Sequence, residues 1–149
     1  MERQLADHRR RLLAGVKGRV IEVGAGNGLN FSHYPHEVTH VLAVEPEPYL
    51  REIARRGAQL ASVPIDVIPG RGEQLPPMDG IFDVAVASLV LCSVTDPTAT
   101  LYEVHRVLRP GGQLRFFEHV QAETPRLRRL QRLMDATFWP TLAGGCHAS

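Results

Sequence analysis

A carboxylate and three alternating glycines lie close together in residues 20–28 (VIEVGAGNG). The β-branched residues before the first glycine favour a buried parallel strand. Gly24, Gly26 and Gly28 carry no Cβ, so the chain can turn sharply there and a ligand can approach the backbone. A helix is expected to follow over residues 29–34, and the first backbone N–H groups of a helix are free to face a ligand. The stretch therefore predicts a strand–turn–helix unit that binds a ligand.

The spacing of the glycines separates two classes of ligand. A dinucleotide-binding turn has the pattern G-x-G-x-x-G, with pyrophosphate at the helix N-terminus. This turn is G-x-G-x-G, and Glu22 precedes the first glycine by two residues. A carboxylate there suits a ligand with a cationic group better than a pyrophosphate. The nicotinamide-dependent reductases remain an alternative that the spacing disfavours.

A second carboxylate, Glu45, follows the apolar residues 40–44 and lies 21 residues after Gly24. A carboxylate at the end of the second strand, about 20 residues after such a turn, accepts hydrogen bonds from ribose hydroxyls. Pro46 follows and offers a flat apolar surface where adenine would lie. The alternative is an acid that interacts with the N-terminus of the helix expected at residues 48–60. The spacing favours the ribose role.

Two further pairs of residues follow later strands of the predicted sheet. Gly72 lies in the loop after the third strand and permits close approach to the backbone, whereas Glu73 is expected to be a local structural acid more than an adenine contact. Ser88 and Leu89 stand at the end of the fourth strand. Ligands of open α/β sheets bind at this edge, where the strand order reverses.

Short strands alternate with helical segments along the chain. The strands are expected from Val20 and over residues 40–44, 65–68, 81–88 and 113–118, and the helices over 4–16, 29–34, 48–60, from 97 and over 125–139. Residues 109–112 (RPGG) are expected to separate the helix that begins at residue 97 from the last strand. This alternation predicts one α/β domain over residues 1–149, a doubly wound, Rossmann-like parallel sheet of five strands in the order 3-2-1-4-5.

Composition excludes several other classes. The 149 residues carry a net charge of +1 and contain two cysteines, Cys92 and Cys146. No strong field favours nucleic acid, two cysteines are too few for a disulfide framework, and the cytoplasm is the expected location. No apolar run reaches the ~20 residues of a membrane span. The basic helix at 125–139 fits an ordinary covering helix better than peripheral membrane contact, and no metal site is expected.

Successive motifs together resemble the class I S-adenosylmethionine (SAM) dependent methyltransferases. They are residues 20–28 (VIEVGAGNG), 43–46 (AVEP), 72–76 (GEQLP), 82–94 (FDVAVASLVLCSV) and 106–112 (RVLRPGG). The resemblance implies SAM as the cofactor and methyl transfer as the activity. It also implies the cofactor-binding residues, which are Glu22, Gly24, Ala25, Gly26, Asn27, Gly28, Glu45, Pro46, Gly72, Glu73, Ser88 and Leu89.

Three shorter motifs are similar to one subgroup, the small methyltransferases related to the animal thiol methyltransferases. They are residues 89–94 (LVLCSV), 117–120 (FEHV) and 144–147 (GGCH). The subgroup implies a small-molecule acceptor such as a thiol, with His119 as a substrate contact, a general base or a structural residue. A SAM-binding protein without turnover is the alternative.

The sequence departs from the family pattern at two places. Arg71 stands where many members have an aspartate that reads adenine. Five strands are counted where the family has seven, so the chain is expected to lack strands six and seven at its C-terminal end.

Overall fold

Five parallel strands form one sheet in the order β3-β2-β1-β4-β5. The structure, a computed structural model, describes residues 2–118. Its elements in chain order are α1 Glu2–Leu13, β1 Gly18–Val23, a 3-10 helix Phe31–His33, β2 Val38–Val44, α2 Pro48–Leu60, β3 Ile65–Ile68, β4 Phe82–Ser88, α3 Pro97–Val107 and β5 Leu108–Phe117. The predicted fold class and strand order are confirmed.

Side chains of the central strands alternate between two apolar cores, one on each face of the sheet. Val20 of β1 packs with α1 and α2, whereas Ile21 and Val23 pack on the face that α3 covers. A parallel sheet with both faces covered needs apolar residues at consecutive positions, which explains the β-branched runs in the sequence. Both faces are thus used for packing, and the carboxyl-terminal edge of the sheet is left to bind a ligand.

The N-terminus of α2 has its own acid. The Glu47 carboxylate accepts hydrogen bonds from the backbone N–H groups of Tyr49 (3.1 Å) and Leu50 (2.7 Å), and Pro48 is the first helical residue. Carboxylates stabilise helix N-termini in this position. Glu47 therefore fills the helix-terminal role that was the alternative for Glu45.

Two sequence-based expectations about local structure are wrong. The segment after the glycine turn forms a three-residue 3-10 helix instead of an α-helix over residues 29–34. Residues 109–112 do not separate α3 from β5, because β5 begins at Leu108 directly after the helix. The register shifts there: Leu108 lies opposite Phe82, and Gln113 lies opposite Val84. The proline and glycines are accommodated as an irregularity of the strand, as is usual at an edge.

Candidate functional site

A cavity of about 810 Å³ opens at the carboxyl-terminal edge of β1, β2 and β4. The structure brings the predicted cofactor residues together around it, with the exception of Gly28. Those that line it are Glu22, Gly24, Ala25, Gly26, Asn27, Glu45, Pro46, Gly72, Glu73, Ser88 and Leu89. Residues that sequence reasoning did not assign to the site also line it, among them Arg9, Leu29, Asn30, Leu50 and Val94.

Glu45 is a buried carboxylate at the wall of this cavity, with 5% of its surface exposed. One oxygen, Oε2, accepts a hydrogen bond from the Gly26 N–H at 2.8 Å, and Oε1 accepts from the Glu47 N–H at 2.9 Å. Each carboxylate oxygen has two lone pairs, so both can accept a further hydrogen bond. The carboxylate is held in one orientation by the backbone and has acceptor capacity left for a pair of hydroxyl groups.

Glu22 is almost fully buried beside the same cavity, with 2% exposure. Its oxygens accept hydrogen bonds from the Asn30 amide Nδ2 at 2.8 Å and from the Tyr34 hydroxyl at 2.6 Å. Burial raises the pKa of Glu22 to about 7, although these two hydrogen bonds and the nearby charge of Arg9 oppose the rise. The site thus contains an acid that changes charge near neutral pH.

The partners of Glu22 are residues whose roles the sequence did not reveal. Tyr34 is 3% exposed, and its hydroxyl donates a hydrogen bond to Glu22. Its burial follows from the tight 3-10 helix, which folds Phe31 and Tyr34 back against the sheet. A tyrosine and an asparagine within 12 residues of a strand carboxylate were the available signal.

The loop after β4 is fixed by the end of β5. The Glu118 carboxylate accepts hydrogen bonds from the backbone N–H groups of Val90 and Leu91, both at 2.9 Å, and the Leu89 N–H donates to the Phe117 carbonyl at 2.7 Å. Leu89 has a φ of 58°, which is strained for a residue with a side chain. These contacts hold the cavity wall formed by Ser88 and Leu89, and sequence reasoning missed Glu118.

Gly72 and Glu73 connect the loop after β3 to α3. A Cβ at Gly72 would lie 2.8 Å from the Thr100 Cγ2, so helix packing requires a glycine there. The Glu73 Oε1 accepts a hydrogen bond from the Thr95 N–H at 2.9 Å. Glu73 is therefore a structural acid at the cavity wall, and its contact with adenine stays a prediction.

Gly26 and Gly28 have the same left-handed backbone but different surroundings. A Cβ at Gly28 would lie 2.7 Å from Phe31 Cε2 and 3.3 Å from the Ala54 Cα, whereas a Cβ at Gly26 would meet no atom within 4 Å. The φ angle is 59° at Gly26 and 82° at Gly28. Gly28 is thus required by packing, and Gly26 leaves open space at the cavity.

We expect Gly28→Ala to lower the free energy of unfolding by about 2–4 kcal/mol, from left-handed strain and overpacking together. Gly26→Ala should cost about 1–2 kcal/mol from strain alone, but its methyl group should weaken binding of S-adenosylhomocysteine at least about 10-fold. Urea unfolding and calorimetric titration of both variants measure these effects. Equal losses of stability in the two variants would contradict the packing role of Gly28. Unchanged ligand binding by Gly26→Ala would contradict the position of Gly26 at the binding cavity.

Two sequence-based assignments lie outside the described residues, namely His119 and the helix at 125–139. Within residues 2–118, no cluster of three or more potential metal ligands occurs. In the same part of the chain, no helix has the length and apolar character needed to cross a membrane.

Known proteins are similar to this chain in sequence and in fold. The methyltransferase domain family matches residues 21–116. Thiol S-methyltransferase TMT1B of Mus musculus is 38% identical over 140 residues, which cover 91% of this chain and 57% of that protein. Thiol S-methyltransferase TMT1A of Homo sapiens is 35% identical over 156 residues, covering 97% of this chain and 63% of that protein.

A solved structure of a SAM-dependent methyltransferase from Thermotoga maritima superposes with a TM-score of 0.69 at 27% identity. The superposition covers 90% of this chain and 60% of that one. The chain thus spans less than two thirds of each of these three proteins. The family match extends from β1 to β5 and includes the glycine turn, Glu45 and the loop after β4. The chain belongs to the class I SAM-dependent methyltransferases.

Proposed function

We propose that this chain binds SAM in the cavity at the carboxyl-terminal edge of the sheet and transfers its methyl group to a small thiol. The observation that carries the proposal is the position of Glu45. Its buried carboxylate is oriented by Gly26 and Glu47 and keeps acceptor capacity toward the cavity. The thiol acceptor is supported by two relatives that are named thiol S-methyltransferases.

The residues around the cavity fit SAM. Glu45 would accept hydrogen bonds from the ribose hydroxyls, with Pro46 against adenine, and Gly26 leaves room for the ligand beside the turn. Glu22 would face the amino group of the methionine part. Both of these positions have carboxylates, which are acceptors. Within residues 2–118 the glycine turn leads into a 3-10 helix and not into a long helix whose N-terminus could bind phosphate. This arrangement suits a cationic nucleoside better than a dinucleotide.

When bound, SAM supplies an electrophilic methyl group on a sulfonium centre. The chain has to hold the acceptor in line with that methyl group and keep water away. Leu29, Val90 and Val94 line the cavity with apolar side chains and would contact the acceptor. The thiolate is the nucleophilic form of a thiol, and His119 remains the proposed base or substrate contact.

The test is an assay of the chain with SAM and a small apolar thiol as the acceptor. The alcohol with the same carbon skeleton is the matched control. We expect the methyl thioether and S-adenosylhomocysteine in equal amounts by mass spectrometry, and no ether from the alcohol. Methylation of the alcohol in preference to the thiol would overturn the thiol assignment. Binding of SAM without any product would favour a SAM-binding protein without turnover.

The remaining predictions complete this proposal. The chain is proposed to act as one domain over residues 1–149, without nucleic acid, and the helix expected at 125–139 is proposed to cover the domain in preference to contacting a membrane surface. A cytoplasmic location is also proposed.

A further inference from the structure

Arg9 of α1 lies at the wall of the same cavity as Glu22. The two neighbouring arginines differ in what they contact: Arg10 forms an ion pair with Asp7 at 3.5 Å, whereas Arg9 forms no ion pair or hydrogen bond with any residue of the described range 2–118. Arg9 is half-buried, and its positive charge favours the ionised form of Glu22. The cavity thus has a guanidinium whose hydrogen-bond donors have no partner within that range.

Glu22 supplies the opposite charge close by. Its carboxylate accepts hydrogen bonds from Asn30 and Tyr34, which orients it. The second polar atom of the Asn30 amide, Oδ1, is buried and has no hydrogen-bond partner among the described residues. An amide with its oxygen turned toward Glu22 would place two acceptors together, so the orientation with Nδ2 toward the ionised carboxylate is favoured. This corner of the cavity thus holds a cation, an anion and an unsatisfied acceptor.

An α-amino acid group is the ligand chemistry that matches such a corner, because it carries a carboxylate and an ammonium on one carbon. A guanidinium binds a carboxylate through two parallel hydrogen bonds. The nearby anion and the amide oxygen suit an ammonium group. The adenosine part of the cofactor would lie against Glu45 and Pro46, which line the same cavity.

We propose that Arg9 binds the α-carboxylate of the methionine part of SAM, while Glu22 faces its α-ammonium. This inference rests on the proposed function, since it assumes that SAM occupies the cavity. It makes α1 part of the cofactor site. Arg9 is then a residue that selects ligands with an intact amino acid group.

The test compares two ligands that share the adenosine half, S-adenosylhomocysteine and its decarboxylated analogue. Arg9→Met should bind S-adenosylhomocysteine roughly 10- to 100-fold more weakly than the wild type, the range of a charge-assisted hydrogen bond. Its affinity for the decarboxylated analogue should stay within about twofold of the wild type. Arg10→Met is the matched control on the same helix and should change neither affinity.

Each outcome has a defined meaning, because a general loss of structure would weaken both ligands alike. Equal weakening of both ligands in Arg9→Met, or no weakening of either, would overturn the role of Arg9 and leave the proposed function intact. Failure of the wild-type chain to bind S-adenosylhomocysteine would overturn the proposed function, and with it this inference.

Discussion

The Glu45→Ala variant is expected to bind S-adenosylhomocysteine at least about 100-fold more weakly than the wild type. The carboxylate is buried and oriented by the Gly26 and Glu47 N–H groups, so it would bind the ribose hydroxyls with little loss of side-chain entropy. Hydrogen bonds to a charged group contribute about 1.5–3 kcal/mol each, and 100-fold corresponds to about 2.7 kcal/mol. Isothermal titration calorimetry measures the change.

Glu52→Gln is the matched control for this prediction. Glu52 lies on α2, exposed, and forms ion pairs with Arg55 and Arg56 on the helix surface. Its variant should bind with wild-type affinity. Because Glu45→Ala also removes acceptors for two backbone N–H groups, its fold is checked by circular dichroism. A folded Glu45→Ala protein with an affinity within threefold of the wild type would show that ribose is bound elsewhere.

Glu22 is expected to make the protein less stable as the pH rises. Burial raises the pKa of Glu22 to about 7 from an ordinary value of 4.5, so the folded state binds this proton more tightly than the unfolded state. The free energy of unfolding is therefore highest below the unfolded pKa and falls as the pH rises toward the folded one. Each unit of pKa difference corresponds to about 1.4 kcal/mol. Glu22→Gln removes this dependence.

The measurement is urea unfolding of the wild type and Glu22→Gln at pH 5 and pH 8. The stability of the wild type relative to the variant should decrease by about 2–3 kcal/mol between the two pH values. Comparison with the variant cancels the contributions of other titrating groups. Glu52→Gln, which changes an exposed carboxylate, should keep the pH dependence of the wild type. Parallel pH profiles of the wild type and Glu22→Gln would contradict the raised pKa.

A buried acid that destabilises the fold at neutral pH is consistent with selection for binding. The Tyr34 and Asn30 hydrogen bonds only partly compensate for the burial of Glu22. Leucine at this position would avoid the cost of burying a charge, and functional sites commonly keep such a cost. The cationic groups of SAM would favour the ionised form of Glu22, so cofactor binding should be accompanied by proton release near neutral pH.

The sheet and the position of the Glu45 carboxylate at the cavity could be predicted because both depend on local sequence. Consecutive β-branched residues identify a strand buried on two faces, as in β1. The number of residues between the glycine turn and Glu45 then predicts where Glu45 lies. A parallel crossover of about 20 residues brings the end of the next strand back to the same edge of the sheet. Glu45 therefore lies beside the Gly26 N–H, 19 residues away in sequence.

The rest of the site depends on contacts that sequence periodicity does not report. Tyr34 is buried because a 3-10 helix replaces the expected α-helix, which changes the direction of its side chain. Arg9 reaches the cavity because of the way α1 packs on the sheet, and three consecutive arginines look alike in sequence. Glu118 acts across 28 residues on the Val90 N–H. The carboxylate that directly follows β5, Glu118, was therefore the most useful sequence signal that the sequence analysis did not use.

The central claim is that the cavity at the ends of β1, β2 and β4 binds SAM, and one titration tests it most directly. S-adenosylhomocysteine and NADH are titrated separately into the folded, monodisperse chain by calorimetry. We predict saturable 1:1 binding of S-adenosylhomocysteine and no measurable binding of NADH. No binding of S-adenosylhomocysteine, or tighter binding of NADH, would contradict the assignment of this cavity to SAM.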